Sequence, residues 1–307
     1  MMPPKLILSI GEAMVELSQA DGPEIWRLGI AGDTLNTAWY LRALLPETWR
    51  VGYLSRVGTG PFSQRMVDFL TQEGIETTHV SRDPDREIGL YAISLNQGER
   101  SFSYWRDSSA ARSLADDEAR LGHAFSDAAI LYLSGITLAI LTDQARRRLR
   151  AALAGARAQG AQVIFDPNLR PRLWPDITTM CNAIEAMAAE SDLVLPSFDD
   201  ESTFFGDADL HATRARYLGC GAGHVVVKNA GGPILFGGRA GDGLIDNLTP
   251  EQPVDTTAAG DSFNAGYLTA MVQGASCAAA IRAGHDLSRQ VIRHPGALVR
   301  AAIHAAR

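Results

Sequence analysis

Past residue 128 the chain repeats one unit: a short continuous apolar run, a polar corner, then a helix or loop. "AILYLSG" precedes a helical pattern over 140 to 158, and "QVIFDPNLR" ends in a polar loop. "SDLVLPS" leads to a short helix, and "HVVVKNAGG" is a further apolar run. Continuous apolar runs read as strands buried on both faces, and helical crossovers between them make the strands parallel. The N-terminal part obeys the same rule. "KLILSI" (5 to 10) is a first strand ending at Gly11, and "VGYLSRVG" is a strand followed by a helix, "PFSQRMVDFLTQEGI". Between them "AGDTLNTAWYLRALL" (31 to 45) places Leu35, Ala38, Leu41 and Leu45 on one helical face and Asp33, Asn36, Thr37 and Tyr40 on another. Two helices, 259 to 273 and 276 to 291, are expected to close the chain. The whole predicts an α/β fold with a mostly parallel sheet covered on both faces.

Residues 88 to 106 break this pattern. "IGLYAISLNQGERSFSYWR" alternates with a period of two around a turn at Asn96-Gln97-Gly98, which predicts a β-hairpin. Tyr91 and Tyr104 fall on its two arms, and Tyr104 and Arg106 on one strand face.

The composition narrows the function. A net charge of -7 disfavours nucleic acid or an anionic membrane as partner, so an anionic ligand must be met by local positive groups. No apolar run is long enough to span a bilayer and no signal peptide is read, so a cytoplasmic protein is expected. Cys181, Cys220 and Cys277 form no CxxC pair and no zinc spacing. Of 28 basic residues only Lys5 and Lys228 are lysine. Neither sits in the Gly-Lys-Ser/Thr context of a Walker A loop, and no protein-kinase motif set is present. A nicotinamide-binding fingerprint is also missing: Gly219-Cys-Gly221-Ala-Gly223 has the wrong spacing and precedes a strand.

One string carries chemistry. In "PVDTTAAGDSFNAGY" (253 to 267) small residues run into a helix marked by Phe263, Tyr267 and Met271. Ala258, Ala259 and Gly260 offer bare N–H groups at a helix start, which favours a bound anion. Asp261 sits in that first turn, where the helix dipole is expected to keep it ionised near neutral pH. Alanine resists positive φ, so residue 258 is expected at negative φ.

"DTTAAGDSFNAGY" and "GIAGDTLNTAWYLRAL" resemble the two signatures of the ribokinase-type (PfkB) carbohydrate kinases. The order of elements is similar over nearly the whole chain. "YWR", "DPNLRPRLW" and "PSFDDE" are most similar to the 2-keto-3-deoxygluconate kinase branch. The resemblance implies one ribokinase-like domain over residues 1 to 307, a three-layer α/β/α sandwich. It also implies a β-sheet lid built from segments near 12 to 31 and 88 to 106. It makes Asp261 the base that takes the proton of a sugar hydroxyl, and the backbone of Ala258, Ala259, Gly260 and Asp261 the hole for the transferred phosphoryl group.

The same resemblance implies a keto-acid site lined by Gly32, Asp33, Asn36, Tyr91, Tyr104, Arg106 and Arg170. A guanidinium grips a carboxylate in a bidentate way, which a neutral sugar would leave unused. A surface or salt-bridge role competes for each arginine. On the nucleotide side the resemblance places Asn168, Ser197, Lys228, Gly231 and Gly232 near the phosphates of ATP and His285 beside the adenine. The family's Asn-x-x-Glu stands here as Ser197-x-x-Asp200, so Asp200 or Glu201 is expected to order water around Mg²⁺. Asp255 and Thr257 match positions that hold a monovalent cation such as K⁺ in some relatives. The implied activity is phosphorylation of 2-keto-3-deoxygluconate at its 6-hydroxyl. Kinases for its galactonate epimer, fructose or ribose are alternatives, as is a sugar-acid sensor without turnover. The lid implies a homo-oligomer.

Overall fold

A computed structural model describes residues 4–20, 22–96 and 99–306. The strands are β1 (Lys5–Ile10), β2 (Met14–Ala20), β3 (Gly22–Ala31), β4 (Trp49–Val57), β5 (Val80–Arg82), β6 (Leu90–Asn96) and β7 (Glu99–Trp105). They continue with β8 (Ala128–Ser134), β9 (Gln162–Asp166), β10 (Leu193–Val194), β11 (His224–Val227), β12 (Ile234–Gly238) and β13 (Gly243–Ile245). The helices are α1 (Asp33–Leu44), α2 (Pro61–Gln72), α3 (Glu118–Ser126), α4 (Gly135–Ile140), α5 (Asp143–Ala158) and α6 (Ile177–Ala188). After them come α7 (Phe198–Phe204), α8 (Leu210–Cys220), α9 (Ala259–Val272), α10 (Cys277–Val291) and α11 (Arg300–Ala306).

The large sheet has the order β13-β12-β11-β10-β9-β8-β1-β4-β5. It is parallel from β11 to β5, with β12 and β13 antiparallel at one edge. Alternate residues of β1 feed opposite cores, as the pleat requires. Ile7 packs with α1, α9 and α10 residues, whereas Leu6, Leu8 and Ile10 pack with α4, α5 and α6 residues. The small sheet, β3-β2-β6-β7, pairs the hairpin with two strands from the N-terminal segment. The hairpin tip, Gln97-Gly98, lies outside the described residues.

Several expectations need correction. The helix expected from 140 begins at Asp143, because Thr142 caps its start by accepting from the Ala145 amide at 3.2 Å, and a separate short helix, Gly135–Ile140, precedes it. A third helix, α11, follows the two expected to close the chain. Its seven residues are too few to display a period. The β12–β13 hairpin escaped reading because its strands are short and glycine-punctuated. Both faces of α1 are buried from Thr34 to Leu41, since the helix lies between the sheet and α9.

Order reverses on either side of β1: later strands add through β8 on one flank, earlier ones through β4 on the other. The crevice at the carboxyl ends of strands beside such a reversal is where open α/β sheets bind ligands. Ser134 ends β8 and Asp166 ends β9 at this crevice, and Gly32 and Ala258 stand at the starts of α1 and α9.

Candidate active site

Asp261 lies in the first turn of α9 and is buried. Its Oδ2 accepts from Asn36 Nδ2 of α1 at 2.8 Å, and its carbonyl accepts from Thr37 Oγ1 at 3.2 Å. Burial raises its proton affinity well above the ordinary carboxylate range, and the nearby Asp33 and Asp166 charges add to this. Asn36 and Lys228 oppose the rise without cancelling it. Loss of water around the carboxylate thus opposes the helix dipole, which by itself favours the ionised form.

Ala258 is a correction. It adopts φ 60° and ψ 19°, the left-handed region, despite its Cβ. Asn168 at φ 36° and Ala230 at φ 45° are the other described non-glycine residues at positive φ, and all three lie in loops expected to face phosphate. The Ala259 amide donates to Thr256 O at 3.2 Å, so of the expected N–H groups this one has a partner of its own. Gly260 and Asp261 supply first-turn amides that a helix leaves without intrahelical partners. A Cβ on Gly260 would lie 3.6 Å from Lys228 Nζ, which places the amine against this turn.

Lys228 follows β11 and is 7% exposed. Its Nζ donates to Asp166 Oδ1 at 3.4 Å and to Asn264 Oδ1 at 3.2 Å. Asn264 in turn donates to Asp166 Oδ2 at 2.7 Å and to Tyr132 Oη at 3.0 Å. Asp166, Asn264 and Tyr132 were not singled out from sequence. The signal for Asn264 was present, since "DTLN" and "DSFN" repeat Asp-x-x-Asn on the two helices that meet here.

Among the residues expected to line the sugar site, Asp33 opens α1 and accepts from Asn168 Nδ2 at 2.8 Å. Burial raises its carboxyl too, opposed by hydrogen bonds from Ser134, the Thr34 amide and Asn168. Thus Asn168, expected at the phosphates, gives its side chain to Asp33, the residue expected at the sugar. Gly32 has no room for a side chain, because a Cβ there would meet the Glu12 carbonyl at 2.4 Å. Tyr91 and Tyr104 are cross-strand partners with ring centroids 5.8 Å apart, and Tyr91 donates to Glu16. Arg106, one residue past β7, is buried and bonded to Glu12, itself fully buried. Sequence reading missed Glu12, whose acid lies between two strands and shows no pattern. Arg170 is exposed, and its guanidinium lies 3.6 Å from Asp200.

The structure separates Asp200 from Glu201 on α7. Asp200 faces the site, where burial raises its carboxyl while Arg170 and Lys228 lower it. Glu201 turns into the protein and accepts from Arg216 at 2.7 Å and Tyr217 Oη at 2.9 Å. Burial pushes it up to about 7 even so. Ser197 starts α7, and its neighbour Phe198 donates its amide to Lys228 O at 2.8 Å. Gly231 and Gly232 form the turn after Lys228, with Gly232 N donating to Asn229 O at 2.7 Å. His285 on α10 donates Nε2–H to Thr249 O at 2.7 Å. Asp255 accepts from Thr257 N at 3.0 Å and Oγ1 at 2.7 Å, and from Gly296 N at 2.7 Å. Three such donors suit a carboxylate that shapes the turn leading into α9.

The arrangement can take a proton at Asp261, hold an anion at the α9 start beside Lys228, and accept hydroxyl protons at Asp33. The pfkB carbohydrate kinase family model matches residues 4–302. The chain is 39% identical over 303 residues to 2-dehydro-3-deoxygluconokinase of Escherichia coli K12, covering 96% of this chain and 97% of that one. It superposes on a PfkB protein from Polaromonas sp. JS666 with a TM-score of 0.84, 30% identity and 99% of each chain covered. A fructokinase with bound ATP from Xylella fastidiosa has a similar fold, with a TM-score of 0.83 at 23% identity over 99% of this chain and 98% of that one.

Proposed function

The chain belongs to the PfkB family of carbohydrate kinases, and on that premise we propose that it moves the γ-phosphoryl group of ATP to the 6-hydroxyl of 2-keto-3-deoxygluconate. The observation that carries the reading is Asp261 in the first turn of a helix, fixed by Asn36 and with Lys228 against the same turn. The Asp261 carboxylate takes the hydroxyl proton as the sugar oxygen attacks the γ-phosphorus, and ADP leaves. The Gly260 and Asp261 amides and Lys228 hold the charge on the transferred group. Raised proton affinity suits the base, because a stronger base takes the proton more readily.

Asp200 lies near Asp166, Lys228 and Arg170, and among the described residues no three acids, histidines or cysteines gather as a metal cluster, so what the site fits is a divalent cation that keeps most of its waters. Asp200 would hold Mg²⁺ through water, and the ion would neutralise phosphate charge. Arg170 has reach toward a substrate carboxylate, whereas Arg106 arrives with Glu12 already bound. That pairing is the one observation favouring a neutral sugar. Tyr91 and Tyr104 wall the sugar from the small-sheet side, which acts as a lid against water.

The opposite face of that sheet carries an apolar groove of about 570 Å³, lined by Leu17, Trp26, Leu90, Ala92 and Trp105 among others. We assign it to a second copy of this chain, because exposed aromatic area of this kind on a strand face favours self-association. Among the described residues no helix is long and apolar enough to cross a membrane.

The test is ADP release with Mg-ATP and 2-keto-3-deoxygluconate, its galactonate epimer, fructose or ribose. Turnover on the keto acid, lowered roughly 10²–10⁴-fold in Asp261→Asn, is expected. Turnover chiefly on fructose or ribose would replace the sugar-acid assignment. Binding without turnover would make the chain a sensor.

A further inference from the structure

Three hydrogen bonds from asparagine to aspartate close a ring around the site. Asn36 of α1 donates to Asp261 of α9 at 2.8 Å. Asn264 of α9 donates to Asp166 at the end of β9 at 2.7 Å. Asn168, two residues beyond β9, donates to Asp33 of α1 at 2.8 Å. Each of the three elements therefore gives one amide and receives one, and the bonds run from α1 to α9 to β9 and back to α1.

Spacing on the helices and a turn after β9 make this geometry. Asp33 and Asn36, like Asp261 and Asn264, are three apart on a helix and share a face. Asp166 ends β9 and Asn168 stands two residues on at φ 36°, where the turn of the chain, not a strand period, brings its amide to Asp33. The amide directions follow from the neighbours: Asn264 Oδ1 accepts from Lys228, so its NH₂ group is left for Asp166. Chemistry explains the alternation. An ionised carboxylate only accepts, and an amide supplies two N–H donors without charge. Three acids can so be held close together with a single lysine among them. Asn168 accepts φ 36° to reach Asp33, a strain of the kind that persists only where the surroundings enforce it.

We propose that this ring is a positioning device for the transfer reaction. Asn168 and Asn264 act through the carboxylates they hold, and the ring ties the sugar half of the site to the nucleotide half. The proposal rests on the roles given above to Asp33, Asp261 and Lys228. Asn168 is then a positioning residue for the sugar and Asn264 for the nucleotide.

The test is a set of variants assayed with each substrate varied in turn. Asn168→Gly deletes the amide and tolerates the left-handed backbone. It should raise KM for the sugar substrate about tenfold and leave KM for ATP within about twofold. Asn264→Ala should show the reverse split. In a cycle with Asp33→Asn, adding Asn168→Gly should cost nothing further, because both remove one interaction. Multiplying effects in that cycle, or equal changes in both KM values accompanied by a lower Tm, would overturn the proposal. Should the wild type prefer a neutral sugar, the same cycle is run on that sugar. Should it bind without turnover, the kinase reading fails and the cycle is read in Kd, where the same split decides the ring.

Discussion

At Asp261 the causes of the raised proton affinity can be separated by substitution. Burial comes first and the Asp33 charge second. A general base must be ionised to work, so the acidic limb of kcat/KM should lie above the usual carboxylate value of about 4. Asp33→Asn removes the second cause and should move that limb to lower pH; an unmoved limb would exclude the coupling. The sign for stability is opposite. A carboxyl raised in the folded state contributes stability in full below its unfolded pKa and loses it as pH rises through the folded value. Asp261→Asn should therefore melt higher than wild type in alkaline buffer, with the gap narrowing as pH falls. Ala258 offers a second test. Its left-handed backbone costs about 1–2 kcal/mol, and glycine's greater freedom in the unfolded chain returns part of that. Ala258→Gly should gain up to about 1 kcal/mol in urea unfolding, with turnover retained. Sequence exposed the string but not this strain, because alanine's own preference is for negative φ.

Among elements, the corner after β9 matters most, since alternate residues of "DPNLR" face three tasks: Asp166 meets Lys228, Asn168 meets Asp33, and Arg170 meets Asp200. Gly135 at the start of α4 fixes this corner from behind, because a Cβ there would fall 1.8 Å from Pro167 O. Gly135→Ala should push the loop away, cost about 1–3 kcal/mol and cut kcat/KM at least tenfold in the surviving folded protein. The strands at the sheet centre were readable because each is a continuous apolar run. Asp200 and Glu201 were not separable, for α7 has only seven residues and both acids fall in its first turn. Burial of Glu201 against Arg216 and Tyr217 decides the matter, and those partners lie on α8, 15 and 16 residues away. The Asp-x-x-Asn repeat was legible, but the pairings of the ring were not, for the same reason: Asn36 and Asp261 are 225 residues apart.

Across the molecule, the small sheet presents different chemistry on its two faces, as neighbouring residues on one strand must. Tyr104 faces the Tyr91 ring, whereas Trp105 is 61% exposed on the grooved side. Trp105→Glu should convert an oligomer to monomer in sedimentation velocity, and a wild type that already sediments as monomer would remove the assignment to a second copy. The sheet and its layers followed from alternation alone. The reversal of order at β1, which sets where the crevice opens, came only from which strands pair.

The scarcity of lysine gives the site a built-in reporter. Lys5 stands at the opposite end of β1, its amine 5.6 Å over the Trp49 ring, while Lys228 is enclosed beside the α9 start. An acylating reagent thus meets one outer lysine as internal standard and one inner lysine whose labelling tracks ligand occupancy. Peptide mass ratios should show Lys228 shielded by Mg-ATP with Lys5 unchanged, which would measure nucleotide binding with no turnover at all.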